Sequence, residues 1–255
     1  MKKRVYLDYN ASMPMRPEAR TAMIAAMDVV GNPSSVHAEG RASKGLLERA
    51  RADVSAALGA DGADIVFTSG ATEAAAMALA GRDLRAADIE HDAVNAWVTA
   101  DLPIDRDGYV TICDASESTL QLANSETGII QTLPPGLAVC DMTQAFGKIP
   151  VAFNWAGTDM ALASAHKLGG PKGIGALILR RGTEVSPQLK GGGQEMGRRA
   201  GTENVISAAG FAAAAVASAR DLADGVWDRV AILRDLLEET LAFEAKDTIF
   251  VGKAV

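Results

Sequence analysis

Met160-Ala161-Leu162-Ala163-Ser164-Ala165-His166-Lys167-Leu168-Gly169-Gly170-Pro171-Lys172-Gly173-Ile174 runs from one apolar segment into another, with a lysine between them. Met160 to Ala163 and Ile174 to Leu179 have the composition of buried strands, and the Gly and Pro residues between them mark a tight turn. This reading predicts Lys167 at a strand exit, close to apolar walls. A lysine held there sheds its charge more readily and becomes a nucleophilic amine, the form that condenses with a carbonyl cofactor. A plain surface-turn lysine is the alternative, and the rest of the chain decides between the two.

Upstream, Asp64 to Thr68 reads as a strand, and Ser69-Gly70-Ala71-Thr72-Glu73 then opens a helix running to about Ala80. A small, Gly-containing turn into a helix presents free N–H groups and a positive dipole end, which together seat an anion. It is equally an ordinary helix cap. From Ala87 the pattern is strand, then Glu90-His91-Asp92-Ala93, which puts His91 where a strand ends and a helix begins. Tyr109 to Cys113 and Thr119 to Ala123 read as further strands, the second ending at Asn124. Leu137 to Cys140 is a buried-strand candidate followed by Asp141 and, three residues on, Gln144. An acid at that point needs a partner: a ring nitrogen that must stay protonated is one, the cap of a short following segment another.

Around these strands, helices are predicted from near Arg16 to Gly31, over Gly40 to Leu58, from Asn204 to about Leu222 and from Asp228 to about Phe243, with a last strand at Thr248 to Val251. Strands alternating with helices predict an α/β fold, a mostly parallel central sheet covered on both faces. Its strand ends would gather Thr68 to Thr72, His91, Asn124, Asp141 to Gln144 and Ser164 to Lys167 at one edge, where ligands bind in such sheets. Gly191 to Asn204 reads as a long, glycine-rich, basic functional loop.

The 255 residues are 48% hydrophobic and 22% charged, the balance of an ordinary globular protein, with a net charge of -7 that argues against a nucleic-acid partner. The basic start Met1 to Arg4 lacks a signal-peptide core, and the apolar run Val205 to Ala219 falls short of the roughly 20 residues a membrane span needs. Cys113 and Cys140, far apart in apolar stretches, suit reduced thiols in a cytoplasmic protein. The three histidines, His37, His91 and His166, show no metal-ligand spacing, and Gly169 to Gly175 lacks the ending of a P-loop.

Taken together, Tyr6 to Ala11, Gly31 to His37, Phe67 to Glu73, Glu90-His91, Asp141 to Gly147, His166 to Gly175 and Gly191 to Thr202 resemble, in content and order, the motifs of the cysteine desulfurases. These are pyridoxal 5'-phosphate enzymes of the class V aminotransferase group that move sulfur from L-cysteine to an acceptor cysteine and release L-alanine. The resemblance implies a large cofactor domain over 1–245, with 246–255 beginning a small C-terminal domain. It implies that Lys167 carries the cofactor as a Schiff base, that His91 stacks on its ring, that Asp141 pairs with the ring nitrogen, and that Asn124 and Gln144 meet its phenolic oxygen. Ala71, Thr72, Ser164 and His166 would hold the phosphate, and Thr202 would reach the phosphate of a second subunit in a homodimer. Asn10 and His37 would face the substrate, and Lys167 and His91 would be the catalytic pair. A sulfur-acceptor or iron–sulfur scaffold protein is the implied partner.

The departures lie in Ala74, Ala75 and Ala76, which replace a polar run of the family, and in a short segment between His91 and Asn124. The family's acceptor cysteine and carboxylate-binding arginine, carried by its C-terminal domain, have no counterpart here, and the chain reads as ending before that domain. Cys113 and Cys140 read as buried small hydrophobes. Another class V lyase or aminotransferase, or a catalytically silent module that binds pyridoxal phosphate or dimerises, is the alternative.

Overall fold

The computed structural model describes residues 4–246 and 248–250. After an irregular N-terminal segment, α1 (Pro17–Met27) starts with proline in its first turn, where the missing N–H costs nothing. In α2 (Ala38–Ala57), Gly40, Ser43, Leu47, Ala50 and Val54 recur at helical spacing and form the buried face. Then follow β1 (Asp64–Thr68), α3 (Ala71–Leu79), β2 (Arg85–Ala86), α4 (Asp92–Asn95), β3 (Thr99–Ala100), β4 (Thr119–Gln121), β5 (Leu137–Asp141), β6 (Thr158–Ser164), β7 (Gly175–Leu179), α5 (Val205–Ala223) and α6 (Val226–Glu244).

The main sheet has the order β1-β7-β6-β5-β4. Strands β4, β5 and β6 pair in parallel, while β7 lies antiparallel between β1 and β6. Four strands therefore share one direction and β7 opposes them, which refines the expected mostly parallel sheet. Alternate residues feed two cores. Ile65, Phe67, Ala161 and Ala163 join Leu47, Val54 and Phe211 on one face, whereas Val66, Met160, Leu162 and Leu177 join Ala75, Ala78 and Leu79 of α3 on the other. Helices thus cover both faces. Helix α5 is long and apolar enough to cross a membrane by those two criteria alone, but most of its length is buried among protein. Helix α6 has no buried residue and is tethered by Trp227, whose Nε1 donates to the Gly147 carbonyl at 3.0 Å.

Three expectations need correction. Tyr109 to Cys113 forms no strand: Val110 N donates to the Gln131 side chain, while Tyr109 O and Thr111 N bond back to Asp105 and Pro103, leaving one bridge from Ile104 to Val110. Cys113 is consequently exposed, while Cys140 is buried as expected. The strand placed from Ala87 is the two-residue β2 just before it, paired with β3. Of the terminal strand, Thr248 to Phe250 carry no regular structure and Val251 lies outside the described residues.

Candidate active site

Strands β4, β5 and β6 end at Gln121, Asp141 and Ser164, and all three residues line one cavity of about 430 Å³. The turn after β1 and the first turn of α3 supply Ser69 to Thr72 on its other side. Backbone packing brings these walls together. A Cβ on Gly175, the first residue of β7, would stand 2.5 Å from the Ala163 carbonyl oxygen and 2.7 Å from the Gly70 carbonyl carbon, so only glycine allows β7 to run this close.

Lys167 closes a single 3-10 turn, Ala165–Lys167, directly after β6. The turn is held by Ala165 N donating to the Ile174 carbonyl (3.1 Å) and Gly170 N donating to the Ala165 carbonyl (2.9 Å). Lys167 Nζ donates to the Asn10 carbonyl at 2.8 Å. Burial lowers its pKa from the ordinary 10.5, against the pull of Asp141, Asp8 and Glu126. Burial, followed by the charges of Lys167 and Lys172, likewise lowers that of the His166 imidazole, whose Nδ1 lies 3.3 Å from Ser12 Oγ.

Asp141 accepts from Thr143 N at 2.8 Å. Burial raises its pKa, while Thr143, His91 and Lys167 act in the opposite sense. Next to it, Thr143 Oγ1 is buried without a hydrogen-bond partner. Gln144 Nε2 donates to the Asn10 carbonyl at 3.1 Å, and Gln144 Oε1 accepts from Lys148 Nζ, one helical turn on. His91 caps α4, its Nδ1 accepting from Ala93 N at 3.0 Å, and its ring forms part of the cavity wall. Gly70, the N-cap of α3, has no side chain to cap the helix, and the space where its Cβ would stand is open. The first N–H groups of α3 therefore face the cavity as an anion seat. Amine, carboxylate, orphaned hydroxyl and anion seat in one cavity fit a small planar group carrying a carbonyl, a basic ring nitrogen and a phosphate.

Ala71, Thr72, His91, Asp141, Gln144, Ser164, His166 and Lys167 all line this cavity. Asn10 does not line it: its backbone carbonyl accepts from Lys167 and Gln144 at the cavity's side, while its side chain donates to the Ser125 carbonyl. Asn124 does not line it: its Nδ2 donates to the Ile89 carbonyl (3.0 Å), and its Oδ1 accepts from Glu126 N and Thr127 N (both 2.8 Å), so its amide shapes the turn beside the cavity. His37 caps α2 with its side chain, pairs with Glu39 at 3.0 Å and lies outside the cavity, as does the exposed Thr202. Gln121, Thr143 and Lys172 also line it, and sequence reading passed them over. Gln121, a polar residue closing a buried strand, and Lys172, a second lysine in the glycine-rich turn, were the available signals.

The family described as aminotransferase class-V matches residues 5–100 and 105–253. The chain is 37% identical over 286 residues to a cysteine desulfurase of Frankia sp. (strain EuIK1), covering 93% of this chain and 68% of that one. To the cysteine desulfurase IscS of Dictyoglomus turgidum it is 35% identical over 271 residues, covering 92% and 68%. Among solved structures, a NifS-like protein from Rickettsia africae superposes with a TM-score of 0.90 at 29% identity, over 98% of this chain and 78% of that one. SspA in complex with cysteine superposes with a TM-score of 0.76 at 29% identity, over 83% and 72%.

Proposed function

The chain belongs to the cysteine desulfurases of the class-V aminotransferase family, and from that premise we propose that its cavity binds pyridoxal 5'-phosphate at Lys167 and takes L-cysteine as substrate. The observation that carries this reading is Lys167 Nζ in one cavity with the Asp141 carboxylate and the uncapped start of α3. When bound, the cofactor supplies an aldehyde that condenses with amines and a protonated ring that withdraws electrons.

The chain's own residues do the rest. Ser164, Thr72 and the N–H groups opening α3 bind phosphate, and the Asp141 carboxylate holds a proton on the ring nitrogen. His91 walls the cavity against water. Lys167, whose pKa burial lowers, gives up the proton at Nζ that would keep it from acting as nucleophile and base. The Asn10 carbonyl orients that amine, and Gln144 steadies the same carbonyl.

Neither Cys113 nor Cys140 lines the cavity. In this reading the thiolate that takes the substrate sulfur is neither of these two cysteines as placed here, and an added thiol can stand in as acceptor. Its attack breaks the carbon–sulfur bond of cysteine, leaving a persulfide on the acceptor and alanine on the enzyme side. The exposed Thr202, on the loop that follows Gly191 to Gly193, supports a homodimer in which it meets the neighbouring site. Two free thiols support a cytoplasmic setting.

Turnover of L-cysteine with dithiothreitol as acceptor tests the proposal. Equal amounts of alanine and sulfide, lost in Lys167→Ala, are the expected result. Amino-acid turnover without sulfide would replace it with another class V lyase or aminotransferase, and cofactor binding without turnover would leave a silent module.

A further inference from the structure

Glu90, immediately before His91, is 6% exposed and has no cationic partner among the described residues. Its Oε1 accepts from Gln121 N at 2.6 Å, and its Oε2 is buried with no hydrogen-bond partner. Gln121 closes β4 directly opposite Asp141 on β5, so the Glu90 carboxyl is bonded to the residue that pairs with Asp141. Their surroundings differ in a way that decides between them. Asp141 faces the cavity, accepts from Thr143 N and has Lys167 nearby, which favours its charged form. Glu90 accepts from one N–H, leaves its second oxygen without a partner and has the charge of Asp141 nearby.

We infer that Glu90 is a positioning residue: it carries the proton of a Glu90–Asp141 pair, leaving Asp141 as the single anion beneath the cavity. Two neighbouring buried carboxylates, only one of which has groups beside it that favour its charge, do not both ionise near neutrality, and the proton settles on the one that is less well supported. As an acid, Glu90 is spared a bare buried charge, while Oε1 still accepts from Gln121 and keeps β4 seated beside the cavity. The functional half of the inference rests on the Asp141 role proposed above. If Glu90 were ionised, its charge would push the proton onto Asp141 and remove the anion that a protonated ring nitrogen requires.

The other groups around Glu90 do not change the assignment. From β5, Cys140 is buried, and burial, Asp141 and Glu90 all push its thiol well above the ordinary range, so it stays neutral. From β4, Thr119 and Gln121 carry no charge, and from α4 the Asn95 side chain donates to the Glu90 backbone carbonyl at 2.9 Å. On β2, Arg85 is held by Asp101 through two bonds of 2.9 Å. In agreement, burial and then the Asp141 charge raise the Glu90 carboxyl from 4.5 to about 8, against the opposing pull of Gln121 N.

For a carboxyl whose pKa is raised by folding, the stabilisation is complete below the unfolded pKa and is lost as pH rises through the folded one. The window here runs from 4.5 to about 8. Denaturant unfolding of the full chain without cofactor, over that range, tests the inference in wild type, Glu90→Gln and Asp141→Asn. Relative to Glu90→Gln, wild type is expected to lose up to about tenfold in its folding constant per pH unit across the window, since one proton is linked. Asp141→Asn should move the upper end of that loss to lower pH, because the neighbouring charge is gone. A Glu90→Gln variant that follows the wild-type slope, or an Asp141→Asn variant that leaves the upper end in place, would overturn the inference. If Glu90→Gln does not fold, the wild-type and Asp141→Asn curves alone decide it. No cofactor enters the measurement, so failure here is separate from failure of the pyridoxal reading.

Discussion

Lys148 shows how a single half-buried lysine can serve a neighbour. Its Nζ donates to Gln144 Oε1, which turns the other end of that amide toward Asn10. Burial, then the charge of Lys167, lowers the Lys148 pKa from 10.5 to about 8. A lysine whose pKa is lowered by folding costs stability while it is protonated, so stability should rise with pH from about 8 to 10.5. In Lys148→Met that rise is expected to shrink in denaturation curves taken across the range, leaving the part owed to Lys167. Arg51 does a different job. It meets the Glu195 carboxylate through bonds of 2.6 and 3.0 Å, and Glu195, 1% exposed at its side chain, also accepts from Phe67 N. That cluster fixes Glu195 and Met196 at φ of 48° and 58°, which side chains seldom adopt, and pins the glycine-rich loop to β1. Arg51→Leu leaves a buried carboxylate unpaired and should cost about 3–5 kcal/mol in denaturant unfolding. Sequence could reveal the residues that stand at strand ends, Asp141 and Lys167 among them. It could not reveal Asn124, because what its amide bonds to depends on how the turn at 124–128 closes.

At the scale of elements, apolar runs located β1, β5, β6 and β7, and helical spacing located α2 and α5. Strand direction does not show in hydrophobicity, so β7 was not seen to oppose its neighbours. The short connection 165–174 carried the missing information, since a parallel return needs a crossover of about a dozen residues or more, usually a helix. Tyr109 to Cys113 failed as a strand for the opposite reason: its composition was right, but Val110 N goes to the Gln131 amide and its neighbours bond back to the 103–105 turn. The close approach of β7 to β6 and Gly70 gives an element-level test. Gly175→Ala places a Cβ against two backbone atoms that cannot move independently. Overpacking of this kind should cost about 1–3 kcal/mol. By displacing Gly70 it should also weaken phosphate affinity at the start of α3, readable by calorimetry with inorganic phosphate.

At the scale of the molecule, the ordered motifs carried the family, because their order constrains far more than any one of them. The sheet then explains why they belong together: four strands sharing one direction bring their ends and the start of α3 to a single edge. The likeness to known proteins extends over nearly the whole chain and about two thirds of the length of the curated relatives, and the cofactor site lies within it. The direct measurement is visible absorption of the purified 255-residue chain with pyridoxal 5'-phosphate, beside Lys167→Ala, each then titrated with L-cysteine. The account predicts an imine band that requires Lys167 and shifts as cysteine is added. A folded protein that gives no such band, or the same band in both proteins, would contradict it.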